Sequence, residues 1–258
     1  MHQLRSSRVA LLALEVGATL AILGAVWVLT AASSSYAIIP LPEMLSSFWD
    51  VWASQQFVDD AVPSLLRLAA GFFASTVIGA VAGFVLGLFP VVRVMFYPAL
   101  SFIRSIPPVA LIPVALLVVG LGDQLQISII VLVCVWPVLL NVADGVAEID
   151  DTMLATARSY QIDGFERFRQ VVLPAVAPRL ALGMRTSLAF AVLVLVSSEM
   201  VAATSGIGYF VFNAQAQYRT DLTWAGVILL GLLGLVLNLV FAALEKRLLH
   251  WHFREGGK

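Results

Sequence analysis

The sequence has few charged residues: Asp, Glu, Lys and Arg make up 12% of its 258 residues, against about 25% in an ordinary soluble domain. Hydrophobic residues make up 60%, and this excess of apolar surface requires lipid as its solvent. The net charge of −1 offers no concentrated basic surface for phosphates, which argues against a nucleic-acid partner. The composition therefore predicts an all-α protein embedded in a lipid bilayer.

Cysteine and histidine are also scarce. The one cysteine, Cys134, lies in an apolar run, which excludes a disulfide framework. The histidines, His2, His250 and His252, lie near the chain ends and away from acidic clusters, so we expect no metal site. The sequence contains no G-x-x-x-x-G-K-[ST] phosphate loop, no G-x-S-x-G motif and no H-E-x-x-H motif. We therefore expect no enzyme activity and no cofactor bound by this chain.

Six apolar stretches are long enough to cross a membrane, which needs about 20 helical residues. The first exceeds the apolar core of a typical signal peptide, so we expect it to be retained. The third is interrupted by Pro107 and Pro108, because adjacent prolines remove backbone donors and clash with the preceding turn. Irregular backbone at membrane depth is tolerated inside protein or beside water, so this segment is a candidate for lining a pathway. The predicted spans are 9–32, 64–89, 94–121, 125–142, 179–203 and 222–244.

Two further patterns concern packing. Residues 36–61 contain no Lys or Arg, and their apolar and aromatic residues at helical spacing predict a short interfacial helix, with a docking surface as the open alternative. In the second span, four glycines share one helical face, which predicts close contact with another helix. These glycines are Gly71, Gly79, Gly83 and Gly87.

The distribution of Lys and Arg predicts the orientation, because these residues are retained on the cytoplasmic side. If the amino terminus is inside, 11 of the 15 Lys and Arg residues fall in cytoplasmic segments, three lie within spans, and the external segments hold only Arg219. We therefore predict that both termini and the loop 144–178 face the cytoplasm.

This loop, between the fourth and fifth spans, has two predicted short helices. Asp150 and Asp151 can cap the first, over 152–160. Asp163, followed by Glu166, has the spacing of a capping box that opens a second helix over 164–172, and Pro174 should stop it. The apolar side of the first helix consists of Met153, Leu154, Ala157 and Tyr160. Such helices could bind a partner, fold back on the bundle or lie on lipid.

Residues 155–161, Ala-Thr-Ala-Arg-Ser-Tyr-Gln, with Val-Val-Leu-Pro at 171–174, resemble the cytoplasmic EAA loop of binding-protein-dependent ABC importer permeases. That family has Glu-Ala-Ala, then Gly after three residues, and later Leu-Pro. The chain departs from it at the first two triplet positions and at the glycine, where Gln161 stands and disfavours the family's sharp turn, although Gly164 could supply it. The positions that the resemblance assigns to ATPase coupling are Ala155, Thr156, Ala157, Tyr160, Gln161, Gly164, Leu173 and Pro174.

Three other stretches resemble the branch of this family that transports nitrate, taurine and other sulfonates. They are Pro-Ser-Leu-Leu-Arg at 63–67, Arg-Ser-Ile-Pro-Pro at 104–108, and Ser-Glu-Met-Val-Ala-Ala-Thr at 198–204 with Gly-Ile-Gly at 206–208. The resemblance implies a single transmembrane permease domain over 1–258, in the bacterial inner membrane, that pairs with a second copy as a homodimer. It also implies two ATPase subunits, which bind the ATP, and an extracytoplasmic solute-binding protein.

The resemblance implies a small sulfonate-like or nitrate-like anion as cargo, with an uncharged heterocycle such as a vitamin precursor as the alternative. An autonomous secondary transporter is the alternative function. It should show an internal repeat with paired broken helices, whereas the sequence shows one broken segment and no convincing second copy.

Charged residues inside predicted spans are costly and normally face a cavity or a partner. Glu199 should lie near the external mouth, where it either pairs with an arginine such as Arg67 or contacts substrate. Arg104 either contacts an anionic substrate or extends to the cytoplasmic surface. Trp136 either lines the pathway or packs in the core. The candidate pathway residues are Arg104, Pro107, Pro108, Trp136 and Glu199.

Overall fold

The computed structural model describes residues 37–249 together with 14, 17, 18, 21, 24, 25 and 27–31. Most of the predicted first span, 9–32, therefore lies outside the described residues, and its described residues are helical. Residues 37–249 form helices joined by short turns, without a strand, which confirms the all-α prediction. In chain order the helices are α1, Leu41–Trp52; α2, Val62–Leu88; α3, Pro90–Arg104; α4, Leu111–Val119; α5, Asp123–Ala147; α6, Asp151–Ser159; α7, Gly164–Arg167; α8, Leu173–Ala202; α9, Ile207–Ala216; and α10, Thr220–Leu248.

Within the described residues, four helical stretches are long and apolar enough to cross a membrane. They are Phe57–Leu88, Asp123–Ala147, Gly164–Ala202 and Thr220–Leu248, and they correspond to the second, fourth, fifth and sixth predicted spans. The predicted third span, 94–121, is divided into α3 and α4, because the helix ends before Pro107 and a short 3-10 turn, Pro108–Ala110, follows. The break at the prolines is confirmed, whereas a count of six spans is not confirmed by the described residues.

The helix α5 is the centre of the bundle. Its apolar side chains are buried between α2 on one side and α8 on the other. Cys134 lies in this core, fully buried, and its thiol donates to the carbonyl of Ser187 at 3.4 Å. The core residues that α5 contributes are Leu125, Ile129, Ile130, Val133, Cys134, Val138 and Val142.

The predicted glycine face of α2 is confirmed as a helix-packing surface. All four glycines lie against α5, so closely that an added Cβ would overlap its atoms. At Gly83, a Cβ would lie 2.6 Å from the carbonyl oxygen of Leu139 and 2.7 Å from the Cβ of Val142. Because one of these neighbours is backbone, a side chain here forces the two helices apart.

We expect Gly83→Ala to destabilise the protein by about 1–3 kcal/mol, as is typical for overpacking a close contact. Gly231→Ala is the matched control, because that helical glycine in α10 has no heavy atom within 4 Å of an added Cβ. Thermal unfolding in detergent measures both. A Gly83→Ala protein as stable as the Gly231→Ala protein would contradict the close α2–α5 contact.

Two widened helical turns correct the predicted helix ends. The π-turns Phe57–Ala61 and Phe168–Val172 lead directly into α2 and α8, each of which has proline as its second residue. In a regular α-helix the proline ring would clash with the carbonyl four residues earlier, and the wider turn moves that carbonyl away. The prediction that Pro174 stops the second loop helix is therefore wrong, because Gly164–Ala202 is one continuous helical stretch.

The peripheral helices α1 and α9 pack on α10. The predicted short helix within 36–61 is present as α1, and its Trp52 indole donates to the carbonyl of Ala225 at 2.9 Å. Trp49, on the other side of α1, is exposed. The predicted loop after the fifth span contains the ten-residue helix α9, which the sequence did not indicate.

Candidate functional site

The helix α6 begins with the predicted cap. The Asp150 side chain accepts a hydrogen bond from the backbone N–H of Thr152 at 2.7 Å, and this bond lowers the pKa of the exposed Asp150 carboxyl. Since the charged carboxylate accepts this bond more strongly than the neutral acid, the cap has its full strength at neutral pH and weakens as the pH falls through this lowered pKa. The start of α6 is therefore fixed under physiological conditions.

The end of α6 is a Schellman turn with Gln161 at its left-handed position. Gln161 has φ of +58°, its N–H donates to Arg158, and the N–H of Ile162 donates to Ala157, both at 2.9 Å, the pattern of that motif. The residue at the family's glycine position thus makes the same turn despite its side chain. Gly164, the first residue of α7, is a second left-handed residue, with φ of +57°.

We expect Gln161→Gly to stabilise the α6 terminus by about 1 kcal/mol, the scale of the penalty for a side chain in left-handed backbone. Hydrogen exchange of the Ile162 amide should slow by roughly fivefold, which corresponds to that energy. The control Gln161→Ala keeps a Cβ and should show no such gain. Equal protection in the two variants would contradict a strained Gln161.

The predicted capping box at the start of α7 is wrong. Asp163 makes no side-chain hydrogen bond to the helix start. Glu166 instead accepts from the side-chain amide of Gln170 at 2.8 Å, one turn further along the chain. The position of α7 depends instead on Phe168, whose ring packs edge-on against Phe84 of α2 with centroids 5.0 Å apart.

The predicted coupling residues lie around one surface, but they do not all face outward. Ala157 is buried and Leu154 is partly buried, so these two turn toward the bundle, whereas Met153 and Tyr160 are exposed. Tyr160 is 76% exposed and Phe165 is 77% exposed. A groove of about 460 Å³ runs along α6. It is lined by Asp150, Thr152, Met153, Thr156, Ala157, Tyr160, Ile162 and Val171.

The remaining predicted coupling residues continue this surface. Ala155, Thr156, Gln161, Gly164 and Leu173 are exposed, and Pro174 is partly buried at the start of α8. Phe165, which is also exposed here, was not among the residues predicted from the sequence. Its signal was a large aromatic residue directly after Gly164 in a loop otherwise rich in polar residues. We define the coupling surface as Met153, Ala155, Thr156, Tyr160, Gln161, Gly164, Phe165 and Leu173.

The broken segment lines a cavity of about 210 Å³ between α3, α4, α5 and α8. Two predicted pathway residues, Pro108 and Trp136, line this cavity. A third, Pro107, directly precedes Pro108 in the chain. Arg104 is the last residue of α3, and its side chain lies outside the described part of the structure. The lining is apolar and aromatic: Ile103, Ile106, Pro108, Leu111, Leu132, Val133, Trp136, Pro137 and Phe190.

Glu199 lies away from this cavity and is fully buried. Its Oε1 accepts from the Ser64 hydroxyl at 2.7 Å and from Arg67 Nη1 at 2.9 Å, which confirms the predicted pairing with Arg67. Its Oε2 accepts from the backbone N–H of Gly208 at 3.0 Å. Arg67, whose side chain is 7% exposed, also bonds Asp123 at 2.7 Å, and Asp123 is 68% exposed. One guanidinium therefore joins a buried carboxylate to a surface carboxylate.

Comparison with known proteins agrees with this architecture. The taurine transport system permease protein TauC of Escherichia coli (strain K12) is 30% identical over 247 residues, covering 93% of this chain and 90% of that protein. The bicarbonate transport system permease protein CmpB of Synechococcus elongatus (strain ATCC 33912 / PCC 7942 / FACHB-805) is 33% identical over 190 residues, covering 73% and 68%.

The fold also matches a solved structure. An inward-facing structure of the MetNI methionine ABC transporter superposes with a TM-score of 0.64 over 75% of this chain and 96% of that chain, at 19% identity. The resemblance to the taurine and sulfonate branch is confirmed by the relatives. Residues 75–250 match the model of a family described as the binding-protein-dependent transport system inner membrane component. The chain therefore belongs to this family of membrane transport permeases.

Proposed function

We propose that this chain is the membrane subunit of a bacterial ABC importer for a small anion, driven by separate ATPase subunits. The observation that carries the proposal is the coupling surface, where two aromatic side chains are highly exposed: Tyr160, which caps the end of α6, and Phe165, which lies in α7. Exposed aromatic side chains on a rigid element are typical anchors of protein interfaces. The chain itself has no phosphate loop.

The connection from this surface to the membrane supports a mechanical role. On the inner side of α6, Ala157 is buried, and so is Val171 of the next helical stretch. The helix α6 therefore packs against that stretch. That stretch, Gly164–Ala202, is continuous from the coupling surface to Glu199. A displacement of α6 and α7 by an ATPase would therefore be passed to α8 and so to the cavity, which Phe190 of α8 lines.

The cargo proposal rests on Arg104 and on the relatives. Arg104 stands in the chain between two cavity-lining residues, Ile103 and Ile106, and a basic residue within a membrane segment normally has a functional partner, for which an anionic solute is the proposed candidate. Relatives named for taurine and bicarbonate transport fit this class. The apolar and aromatic lining with Trp136 and Phe190 favours an uncharged heterocycle as the second candidate.

We further propose the assembly and orientation that the family resemblance implies. Two copies of the chain pair as a homodimer, each coupling surface faces the cytoplasm and binds one ATPase, and an extracytoplasmic binding protein delivers the solute. The concentration of Lys and Arg in the segments on one side supports this orientation.

Reconstitution tests the function. Proteoliposomes with this chain, its ATPase and its binding protein should take up taurine, nitrate or bicarbonate only with ATP.

Arg104→Gln should reduce anion uptake by about tenfold, the scale of one hydrogen bond to a charged group. Arg93→Gln is the control, since Arg93 pairs with Asp144 at an exposed site. Solute accumulation by the chain alone would instead identify a secondary transporter.

A further inference from the structure

Buried side chains form hydrogen bonds with the backbone of four consecutive residues where the chain passes from α8 to α9. We call this segment, residues 205–208, the outer turn, and we call the side chains of Asp60, Ser64, Arg67 and Glu199 its seat. All four side chains are at least nine-tenths buried. The bonds join Arg67 Nη1 to Ser205 O at 2.7 Å, Gly206 N to Asp60 Oδ1 at 2.8 Å, Ile207 N to Ser64 Oγ at 2.8 Å, and Gly208 N to Glu199 Oε2 at 3.0 Å.

The atoms around Glu199 leave no room for a side chain at two positions of the outer turn. Gly206 has φ of +124°, and a Cβ there would lie 2.4 Å from the Glu199 carboxyl carbon. A Cβ on Gly208 would lie 2.6 Å from the carbonyl oxygen of Val196. The outer turn therefore requires glycine at both positions, because its backbone lies directly against Glu199 and α8.

The seat lies where three membrane-spanning helices end together. Ser64 and Arg67 are near the start of α2, Asp123 begins α5, and Glu199 is near the end of α8. Along α8, Glu199 is about 13 Å beyond the cavity residue Phe190. The helix α9 has ten residues, or about 15 Å, which is too short to cross a bilayer. It packs against α8 and α10, and we call it the arm.

Polar bonds fix the backbone at the start of this arm, whereas the Ile207 side chain is held in an apolar cluster with Trp52 and Ala61. Water can replace a buried hydrogen bond when a site opens, because the net contribution of such bonds is small, whereas apolar side chains gain nothing from hydration. Arg67 also reaches the surface through Asp123, which is 68% exposed. A change in the surroundings of Asp123 at the surface can therefore act directly on Arg67.

On the basis of the proposed function, we propose that Arg67 and Glu199 are positioning residues that hold α9 closed over the external end of the pathway. Transport then requires release of the outer turn from its seat. Loosening the seat should open the arm without the binding protein, so that the ATPase runs without moving solute. A purely structural ion pair would lower thermal stability but would leave the transport per ATP unchanged.

The experiment uses the complete transporter in proteoliposomes, with Cys134→Ala as the parent. Ala61, 1% exposed in the apolar cluster with Ile207, is replaced by cysteine as the probe for opening. Arg67→Lys keeps the charge but loses the planar fork that spans two partners. We expect a membrane-impermeant maleimide to label the probe at least about tenfold faster in Arg67→Lys, the scale of one charge-assisted hydrogen bond, with faster ATPase activity and less solute moved per ATP.

Arg93→Lys is the matched control, an identical substitution in the exposed pair with Asp144, and it should change neither readout. If Arg67→Lys does not assemble, Ser205→Ala removes one bond to Arg67 Nη2 and should shift both readouts in the same direction by less. Unchanged labelling and unchanged coupling in the seat variants would overturn the proposal. A parent that shows no ATP-driven uptake would instead contradict the proposed function.

Discussion

Replacing Tyr160 and Phe165 together by aspartate should detach the ATPase and abolish ATP-driven uptake. Each ring is more than three-quarters exposed, and an aromatic anchor at an interface typically contributes about 2 kcal/mol or more. Two such losses weaken binding by roughly a thousandfold, and the added charges increase the effect. The measurement is the amount of ATPase that remains bound to the tagged chain during purification.

Tyr218→Asp is the control for this experiment. Tyr218 is 77% exposed and, like Gln161, occupies a left-handed position after a helix, with φ of +58°, but it lies at the predicted external end. The control should retain the ATPase, and thermal unfolding should be nearly the same in both proteins because neither site is buried. If the ATPase stays bound to the double variant, the coupling surface has been placed incorrectly.

Arg67→Met should destabilise the protein by about 3–5 kcal/mol, because it leaves the Glu199 carboxylate buried without its cation. Burial makes this effect large: the Glu199 side chain is fully buried and the Arg67 side chain is 7% exposed. Thermal unfolding in detergent measures the change. Adding Glu199→Gln should recover much of the loss, because the neutral amide does not need a cation.

The comparison for this prediction is Arg93→Met. Arg93 and Asp144 form an ion pair at 2.7 Å, but their side chains are 37% and 51% exposed, and such pairs contribute at most about 1 kcal/mol. Similar losses of stability in the two variants would show that the Arg67 pair is solvated and that its environment has been misjudged.

The features that the sequence predicted correctly each have a local or obligatory cause. The cap at Asp150 depends on an atom two residues away. The glycine face of α2 follows from helical spacing alone. The pairing of Glu199 with Arg67 crosses 132 residues of chain, but a charge at membrane depth must have a partner, and arginines are few in this sequence. Physical necessity made the long-range pair predictable.

The features that the sequence did not predict depend on contacts with distant segments. The helix α9 begins where Ser64 accepts a hydrogen bond from Ile207, 143 residues away in the chain, so the local sequence gives little sign of it. The inward orientation of Ala157 depends on the neighbouring Val171. Gln161 is an exception, because local hydrogen bonds to Ala157 and Arg158 form its left-handed turn although a residue with a side chain disfavours that conformation.

The prediction that the helix ends at Pro174 was wrong for a different reason. Proline in a helical pattern usually predicts an end, whereas here the helix continues by widening one turn. Packing holds this turn in place, because two of its own residues, Val171 and Val172, are buried.

The same widened turn sets the angular relation between the two ends of the Gly164–Ala202 stretch. It takes in one residue more than an α-helical turn, and each residue advances a helix by about 100°. Phe165 and Glu199 therefore point in directions that a regular helix of this length would not give. A regular helix with the same number of residues would turn the aromatic side chain by about 100° from its present direction, whereas deleting a single residue from Phe168–Val172 would restore the regular winding and leave that direction nearly unchanged.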